Sequence, residues 1–315
     1  MTFGWSVSQP VPMTAPTPVH GGFDSSQMHH VLDRACASVG LDSANARLLR
    51  GHTNAVILLD TSPVVVKIAR RGSRISDVQR TVRFVRWLMD RGFPTVPLHA
   101  AGADQPITID GHPVTFWTYL PQPEDPIRAA QLAAPLRELH SLPLPAFQLA
   151  AHDNVRAIRT SIRSITSLPA SSLRFLSDRA DHLEAELAKI EFFLPEAVIQ
   201  GDPQHRNALH NGSAPAVLCD WDTVAVGQPE WDLVTVEVHC RRFGYSKYHY
   251  QEFAQRYGCD VRQWPGYSTL RDLRELRMVT TNARKTAHAP GSLAEIERRV
   301  EGLRNDDTGL LWRIL

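Results

Sequence analysis

The chain lacks the features that mark several classes of protein. Its four cysteines are far apart and form no CxxC pair, which argues against a structural zinc site and against a disulfide framework. No apolar run approaches the roughly 20 residues that a membrane-spanning helix needs. The first 22 residues have neither the basic start nor the apolar segment of a secretory signal. We therefore expect a globular protein of a reducing cytosol that has no membrane partner.

An excess of charge of one sign is also missing. The chain has 34 basic and 33 acidic residues, which give a formal net charge of +1. A protein with this balance has no overall field that would attract nucleic acid or an anionic membrane. The 315 residues, 43% of them hydrophobic, can bury one large core or two smaller ones. A small molecule is therefore the expected partner.

The pattern of apolar residues changes along the chain. Residues 1–22 are rich in Pro, Thr, Ser and Gly, which predicts a flexible leader. Residues 23–120 contain short segments rich in Val, Ile and Leu that are typical of a β-meander, then a helix over residues 75–91 and strands around residues 97–102 and 113–120. Residues 121–315 are dominated by helical patterns. Strands followed by helices indicate an α+β protein of two lobes.

The stretch VIQGDPQHRNAL, residues 198–209, contains polar residues that a phosphoryl-transfer site requires. A short apolar strand ends at Gly201, and a hairpin through NALHNGSAPAVLCDWD follows. Asp202, Asn207 and Asp220 would then lie on loops and strand ends around one hairpin. Phosphoryl transfer uses a carboxylate that orients the acceptor hydroxyl and takes its proton, with an Asn and a second Asp that hold Mg²⁺ against the nucleotide phosphates.

The segment GDPQHRNAL, followed by LCDWDTVAVGQPEWDL and preceded about sixty residues earlier by LRELHSLPLP, resembles the motifs of the aminoglycoside phosphotransferase and choline kinase group. The resemblance implies a bilobal protein-kinase-like fold, in which residues 23–120 form a small nucleotide-binding lobe with an antiparallel sheet and a helix. Residues 121–315 would form a larger, mainly helical lobe with the catalytic loop and the acceptor site. The implied activity is Mg²⁺-dependent transfer of the γ-phosphoryl group of ATP or GTP to a hydroxyl of a small molecule, such as an aminoglycoside or other antibiotic, an amino sugar or a sugar.

The resemblance also implies roles for single residues of the hairpin region. Asp202 would be the catalytic base, Asn207 and Asp220 would be metal ligands, and Asp222 would be a second carboxylate near the metal. Asp202 also has a structural interpretation, since Asp is common in turns. Asp222 lies two residues beyond Asp220, and its side chain could also point to the other side of the chain.

Other matches concern the nucleotide. Lys67 in VVVKIAR corresponds to the phosphate-binding lysine of the group, although a lysine on a strand can also face solvent. Thr53 and Asn54 in GHTNAV resemble the loop that covers the nucleotide. Thr118 and Tyr119 in FWTYLPQ resemble the hinge between the lobes, whose backbone atoms would bind adenine.

Two positions depart from the pattern of the group. The lysine of kinases pairs with a helix Glu, but residues 75–91 contain none; the aligned region offers Thr81, with Asp77 nearby. Either Asp77 substitutes for the Glu, or Lys67 is positioned differently. Gln200 stands where the group has His, and its amide can also donate and accept hydrogen bonds. These departures motivate an alternative function, a catalytically weak, pseudokinase-like regulatory module that binds a nucleotide.

The charged residues of the late helices give information about the charge of the acceptor. Enzymes of this group that take cationic aminoglycosides commonly present carboxylates there, but residues 233–305 contain more Lys and Arg than Asp and Glu. The composition therefore argues slightly against a strongly cationic acceptor. We expect Arg298 and Arg299 on solvated helix faces. Side chains that could line the pocket, or else make ordinary helix contacts, are Glu237, His239, Arg241, Tyr245 and those of residues 280–285.

Overall fold

The chain divides into two compact units. The computed structural model describes residues 11–12, 24–51, 54–212, 214–286 and 290–315. The first unit comprises Met1–Ile127 and His205–Asp222, and the second comprises Arg128–Gln204 and Thr223–Leu315. This grouping differs from an unbroken second lobe over residues 121–315. The reason is that apolar side chains of residues 205–222 share a small buried cluster with the first part of the chain: Val96, Leu209, Val217 and Cys219.

The first unit is built on an antiparallel sheet. Its strands are β1 (Val11–Pro12), β2 (Arg47–Gly51), β3 (Ala55–Leu58), β4 (Val64–Ile68), β5 (Ile107–Ile109) and β6 (His112–Thr118). They lie in the order β1-β2-β3-β4-β6-β5, which confirms the meander expected for β2, β3 and β4. Of the leader, the structure describes only Val11–Pro12. These two residues pair with Leu48 and Arg47 of β2.

One face of this sheet carries the core of the unit. Helix α1 (Ser25–Ser38) begins after Asp24, whose carboxylate caps the first turn. The apolar face of α1 shares a buried cluster with Val64, Val66 and Ile68 of β4. Because side chains alternate along a strand, Val65 and Lys67 of the same strand lie on the opposite face.

The rest of the first unit contains one strand that differs from expectation. Helix α2 (Ile75–Met89) lies where the helical pattern was recognised. The strand expected around residues 97–102 is wrong as a regular element. Its first residues run beside β6 through two backbone hydrogen bonds, Thr118 N–H to Pro97 O and His99 N–H to Phe116 O, and then leave the sheet. Two further strands, β8 (Ala208–Asn211) and β9 (Ala214–Leu218), form the hairpin.

The second unit is mainly helical. Its helices are α3 (Ala129–Ser141), α4 (Asn154–Arg163), α5 (Ala170–Leu187), α6 (Glu230–Arg242), α7 (Lys247–Tyr257), α8 (Tyr267–Ala283) and α9 (Leu293–Arg304). A two-stranded sheet of β7 (Ala197–Ile199) and β10 (Ala225–Gly227) completes it. Together the two units give the α+β, kinase-like architecture that the motifs imply. None of the helices in the described residues is long and apolar enough to cross a membrane.

Gly201 ends β7 in a backbone conformation that a side chain would disturb in two ways. Its φ is +83°, and a Cβ atom there would collide with the carbonyl oxygen of Thr223. Gly258, in the same unit, has φ +96° but open space around it. We expect Gly258→Ala to lower the free energy of unfolding by about 1–2 kcal/mol through backbone strain alone. Gly201→Ala should cost about 1–3 kcal/mol more because of the collision. Urea unfolding of both variants measures the difference, and equal losses would contradict it.

Candidate active site

Lys67 lies beside a small apolar patch in the first unit. The register of the sheet pairs it with Val56 on β3 and with Thr115 on β6. The same face carries a cluster formed by Val56, Leu58 and Val65, with Leu49, Trp117 and Tyr119 packed against it. The lysine therefore does not project freely into solvent.

The ammonium group of Lys67 binds two carboxylates. Its Nζ lies 3.3 Å from Oδ1 of Asp220 and 3.0 Å from Oδ2 of Asp222. Burial favours a lower pKa for Lys67, but the two carboxylates outweigh it and raise the pKa above its ordinary value. The charge of Lys67 holds the pKa of Asp220 down. Burial, together with Asp220, raises the pKa of Asp222. One ammonium group thus balances only part of the charge of two neighbouring carboxylates.

The backbone after β9 explains how both carboxylates reach the lysine. Asp220 adopts a left-handed conformation with φ +57°, which Asp tolerates better than most residues. A 3-10 turn, Trp221–Thr223, follows. The chain turns here instead of continuing as a strand, and both carboxylates face Lys67. The indole of Trp221 is buried and donates to Oγ1 of Thr95 over 2.8 Å, which anchors the turn.

Asn207 lies across the hairpin from these carboxylates. It ends the 3-10 turn His205–Asn207, is almost fully buried, and its backbone oxygen accepts the N–H of Cys219 over 2.9 Å. In the residues that the structure describes, no three His, Cys, Asp or Glu side chains cluster as metal ligands. Two carboxylates and one carboxamide supply hard oxygen donors of the kind that Mg²⁺ prefers, and a nucleotide commonly completes such a shell. The donor types of these residues are compatible with a magnesium ion that shares phosphate oxygens with a nucleotide.

Asp202 belongs to the second unit, in the loop after β7. Its N–H donates to Oε1 of Gln200 over 2.7 Å, and its Oδ2 accepts from Nε2 of Gln204 over 2.9 Å. Oδ1 forms an ion pair with Nη2 of Arg274 on α8. The carboxylate is therefore oriented by a donor on each oxygen.

A buried carboxylate holds the backbone of this loop. Asp232, on α6, is fully buried and accepts the N–H groups of Gln200 and Gly201 over 2.7 and 2.9 Å. Nε2 of His140 lies 3.1 Å from Asp232, and the indole of Trp231 donates to the oxygen of Gly201 over 2.8 Å. Gln200 supports the loop through its amide, as expected from its chemistry.

Other residues recognised in the sequence have different surroundings. Asp77 does not replace the missing helix Glu, because its carboxylate pairs with Arg80 on the surface of α2 at 3.0 Å. The N–H groups of Thr118 and Tyr119 already donate to Pro97 and Pro63, so these two donors are not available to adenine. Asn54 directly precedes β3. Thr53 lies outside the described residues.

The late helices contain buried ion pairs that composition did not reveal. Arg242 is buried and binds Glu275 through two nitrogens, and Arg241 bridges Glu237 and Glu275. The expectation of a solvated Arg299 is wrong: it is buried and pairs with Glu295. Carboxylates on the same helix or on a neighbouring one compensate these arginines, which a linear count of charges cannot detect.

Sequence reasoning missed Arg274 and Arg277. Both lie on α8, three positions apart, and therefore on one face of the helix. Arg274 is buried against Asp202, and the only signal was the excess of basic residues in the late helices.

Comparisons with known proteins identify one protein family and several similar structures. Residues 45–276 match the model of the phosphotransferase enzyme family, designated APH. No curated protein sequence gives a significant match. The choline kinase LicA from Streptococcus pneumoniae has a similar structure, with a TM-score of 0.66 and 16% identity over 88% of this chain and 99% of that one.

Two antibiotic kinases are also similar in structure. Spectinomycin phosphotransferase APH(9)-Ia, solved with ADP and spectinomycin, has a TM-score of 0.62 and 16% identity over 90% of this chain and 98% of that one. Amicoumacin kinase hAmiN, solved with AMP-PNP, Ca²⁺ and its substrate, has a TM-score of 0.61 and 12% identity over 85% and 90%. At these identities the likeness concerns the fold.

The loop around Asp202 should depend on Asp232. Asp232→Ala leaves two buried backbone N–H groups without an acceptor, and we expect the free energy of unfolding to fall by about 3 kcal/mol or more. Asp178→Ala, which removes an exposed carboxylate from α5 of the same unit, is the control and should change it by less than about 0.5 kcal/mol. Urea unfolding measures both, and similar values for the two variants would contradict the role of Asp232.

Proposed function

The chain belongs to the phosphotransferase enzyme family, and from this premise we propose that it transfers the γ-phosphoryl group of ATP or GTP to a hydroxyl of a small molecule in a Mg²⁺-dependent reaction. The observation that supports this most is the group formed by Lys67, Asp220 and Asp222. Its one cation and two carboxylates are the groups that bind nucleotide phosphates and a divalent ion in phosphoryl transfer.

The first unit binds the nucleotide. The amine of Lys67 lies next to the apolar cluster of Val56, Leu58 and Val65, so a purine base can bury its ring there while its phosphates accept from the lysine. Asn54, which directly precedes β3, and Thr53, the residue before it in the sequence, would also contribute, and Thr118 and Tyr119 would border the base. The solved complexes of related folds contain AMP, ADP or AMP-PNP, which supports a nucleotide ligand.

Asn207, Asp220 and Asp222 would hold the Mg²⁺ ion, which when bound neutralises phosphate charge. Asp220 and Asp222 are 38% and 50% exposed at their side chains, so a ligand can approach them. Lys67 would then exchange a carboxylate partner for a phosphate oxygen, with little loss of ion pairing.

Asp202 is the catalytic base of the proposal. The acceptor hydroxyl donates a hydrogen bond to its carboxylate, and the hydroxyl oxygen attacks the γ-phosphorus. The bond to the β–γ bridging oxygen breaks and the nucleoside diphosphate leaves, while the hydroxyl proton passes to Asp202. Arg274 and Gln204 orient this carboxylate, which supports the role. A proton acceptor that is already held in position lowers the entropic cost of reaching the reactive geometry.

The acceptor is a small hydroxylated molecule in this proposal. Choline kinase and spectinomycin phosphotransferase, whose folds are similar, both act on molecules of that kind. Neither nucleic acid nor a membrane is a partner, in keeping with the balanced charge of the chain.

Lys67→Met should weaken the binding of ATP far more than the binding of adenosine. The lost contact is a charge-assisted hydrogen bond to phosphate, which corresponds to about 10- to 100-fold in the Kd of ATP, whereas adenosine makes no such contact. Calorimetric titration of both ligands measures the ratio. Lys189→Met, at an exposed surface lysine, serves as the control. Equal losses for ATP and adenosine would indicate a damaged fold instead of a missing phosphate ligand.

Asp202→Asn preserves the shape of the side chain and removes its charge. We expect ADP release in the presence of the acceptor to fall by about 10²- to 10⁴-fold, while the Kd of ATP changes little. Asp178→Asn is the matched surface control. Turnover of Asp202→Asn at the wild-type rate would remove Asp202 from catalysis. A wild-type protein that binds ATP but phosphorylates no acceptor would instead favour the regulatory module suggested by Gln200 and by the missing helix Glu.

A further inference from the structure

Helix α8 brings two arginines to the candidate base. Arg274 has a side chain only 7% exposed and pairs with Asp202. Its Cζ lies 5.6 Å from the centroid of the Trp231 ring. Its Nε is buried and has no hydrogen-bond partner in the described part of the chain. Asp202 therefore faces a cation that is held in place by packing.

Arg277 is the second arginine, one turn further along the helix. It is half-buried, and across the described ranges its guanidinium forms no hydrogen bond or ion pair. Burial and the charge of Arg274 lower the pKa of Arg277 to about 10, against the opposing charge of Asp202. A planar group with five N–H donors thus lies near the candidate base without an anion of its own.

The surrounding charges do not neutralise this arginine. Among the charges that act on its pKa, those of Arg274 and Arg284 lower it, and those of Asp202 and Asp153 raise it. Asp202 is already paired with Arg274, and Asp153 caps α4 by accepting the N–H of Arg156. The nearby His152 is neutral at pH 7, because burial and both arginines lower its pKa to about 4 despite Asp232.

We infer that the acceptor of this phosphotransferase carries an anionic group, a carboxylate or a phosphate, which Arg277 binds while the acceptor hydroxyl approaches Asp202. The inference rests on the proposed function for the role of Asp202. A guanidinium matches a carboxylate or phosphate through two parallel hydrogen bonds. An anion would also relieve the repulsion between the two arginines. A cationic acceptor would meet the same arginines and be repelled.

The test uses matched series of neutral and anionic acceptors. One series is glycerol, D-glycerate and glycerol 3-phosphate, and the other is glucose, glucuronate and glucose 6-phosphate, with choline as a cationic comparison. Binding to the full-length protein is measured calorimetrically, and ADP release is measured separately with ATP and Mg²⁺. In at least one series we expect an anionic member to bind about 10-fold or more tightly than its neutral parent. Comparing its two anionic members distinguishes a carboxylate site from a phosphate site.

Variants assign the preference to Arg277. In Arg277→Gln the ratio of anionic to neutral affinity should fall about 10- to 100-fold, and Arg277→Lys should retain part of it. Arg163→Gln removes an exposed arginine from α4 and controls for net charge. Thermal unfolding of each variant confirms that the fold is retained.

Three outcomes would overturn the inference. In the first, no anionic member binds more tightly than its neutral parent. In the others, Arg277→Gln leaves the ratio of anionic to neutral affinity unchanged, or it weakens the binding of ATP as much as the binding of the anionic acceptor. The last result would assign the arginine to nucleotide phosphates. The two proposals fail separately. Anion binding that depends on Arg277, without ADP release from any acceptor, would support the site and contradict the transferase. Phosphorylation of neutral or cationic acceptors alone would support the transferase and contradict the anion site.

Discussion

The fully buried carboxylate of Asp232 is the constraint on which the candidate site depends. It accepts the N–H groups of Gln200 and Gly201 and contacts His140, so the loop after the three-residue strand β7 is tied to a helix that is buried along most of its length. Backbone donors buried without an acceptor cost free energy, and the loop therefore has one favourable conformation. The position of Asp202 follows from it.

The carboxylates next to Lys67 have the opposite character. Asp220 and Asp222 are partly exposed, and their ion pairs with the lysine can be exchanged for contacts with a ligand. One unit therefore contains an ionic group that can change partners, and the other contains a carboxylate held by buried hydrogen bonds. This division supports the proposed function, which needs exchangeable contacts for a nucleotide and a fixed proton acceptor.

Arg274 pairs with the candidate base, and Arg277 is the proposed binding group for an anionic acceptor. A buried arginine costs desolvation, which is offset for Arg274 by the ion pair with Asp202. Arg277 has no comparable compensation in the described residues. The excess of basic residues in the late helices thus has two parts: arginines such as Arg242 and Arg299 that are neutralised within the helical core, and one beside Asp202 that is not.

Local patterns in the sequence determined the helix over Ile75–Met89 and the meander of β2 to β4, because alternation and helical spacing depend on neighbouring residues. The GDPQHRNAL motif likewise identified the family. Only the tertiary structure decided which groups pair: Lys67 binds Asp220, 153 positions away, instead of Asp77 on the next helix, and Asp202 binds Arg274, 72 positions away. Contacts at such separations are set by the packing of whole elements, and no local periodicity encodes them.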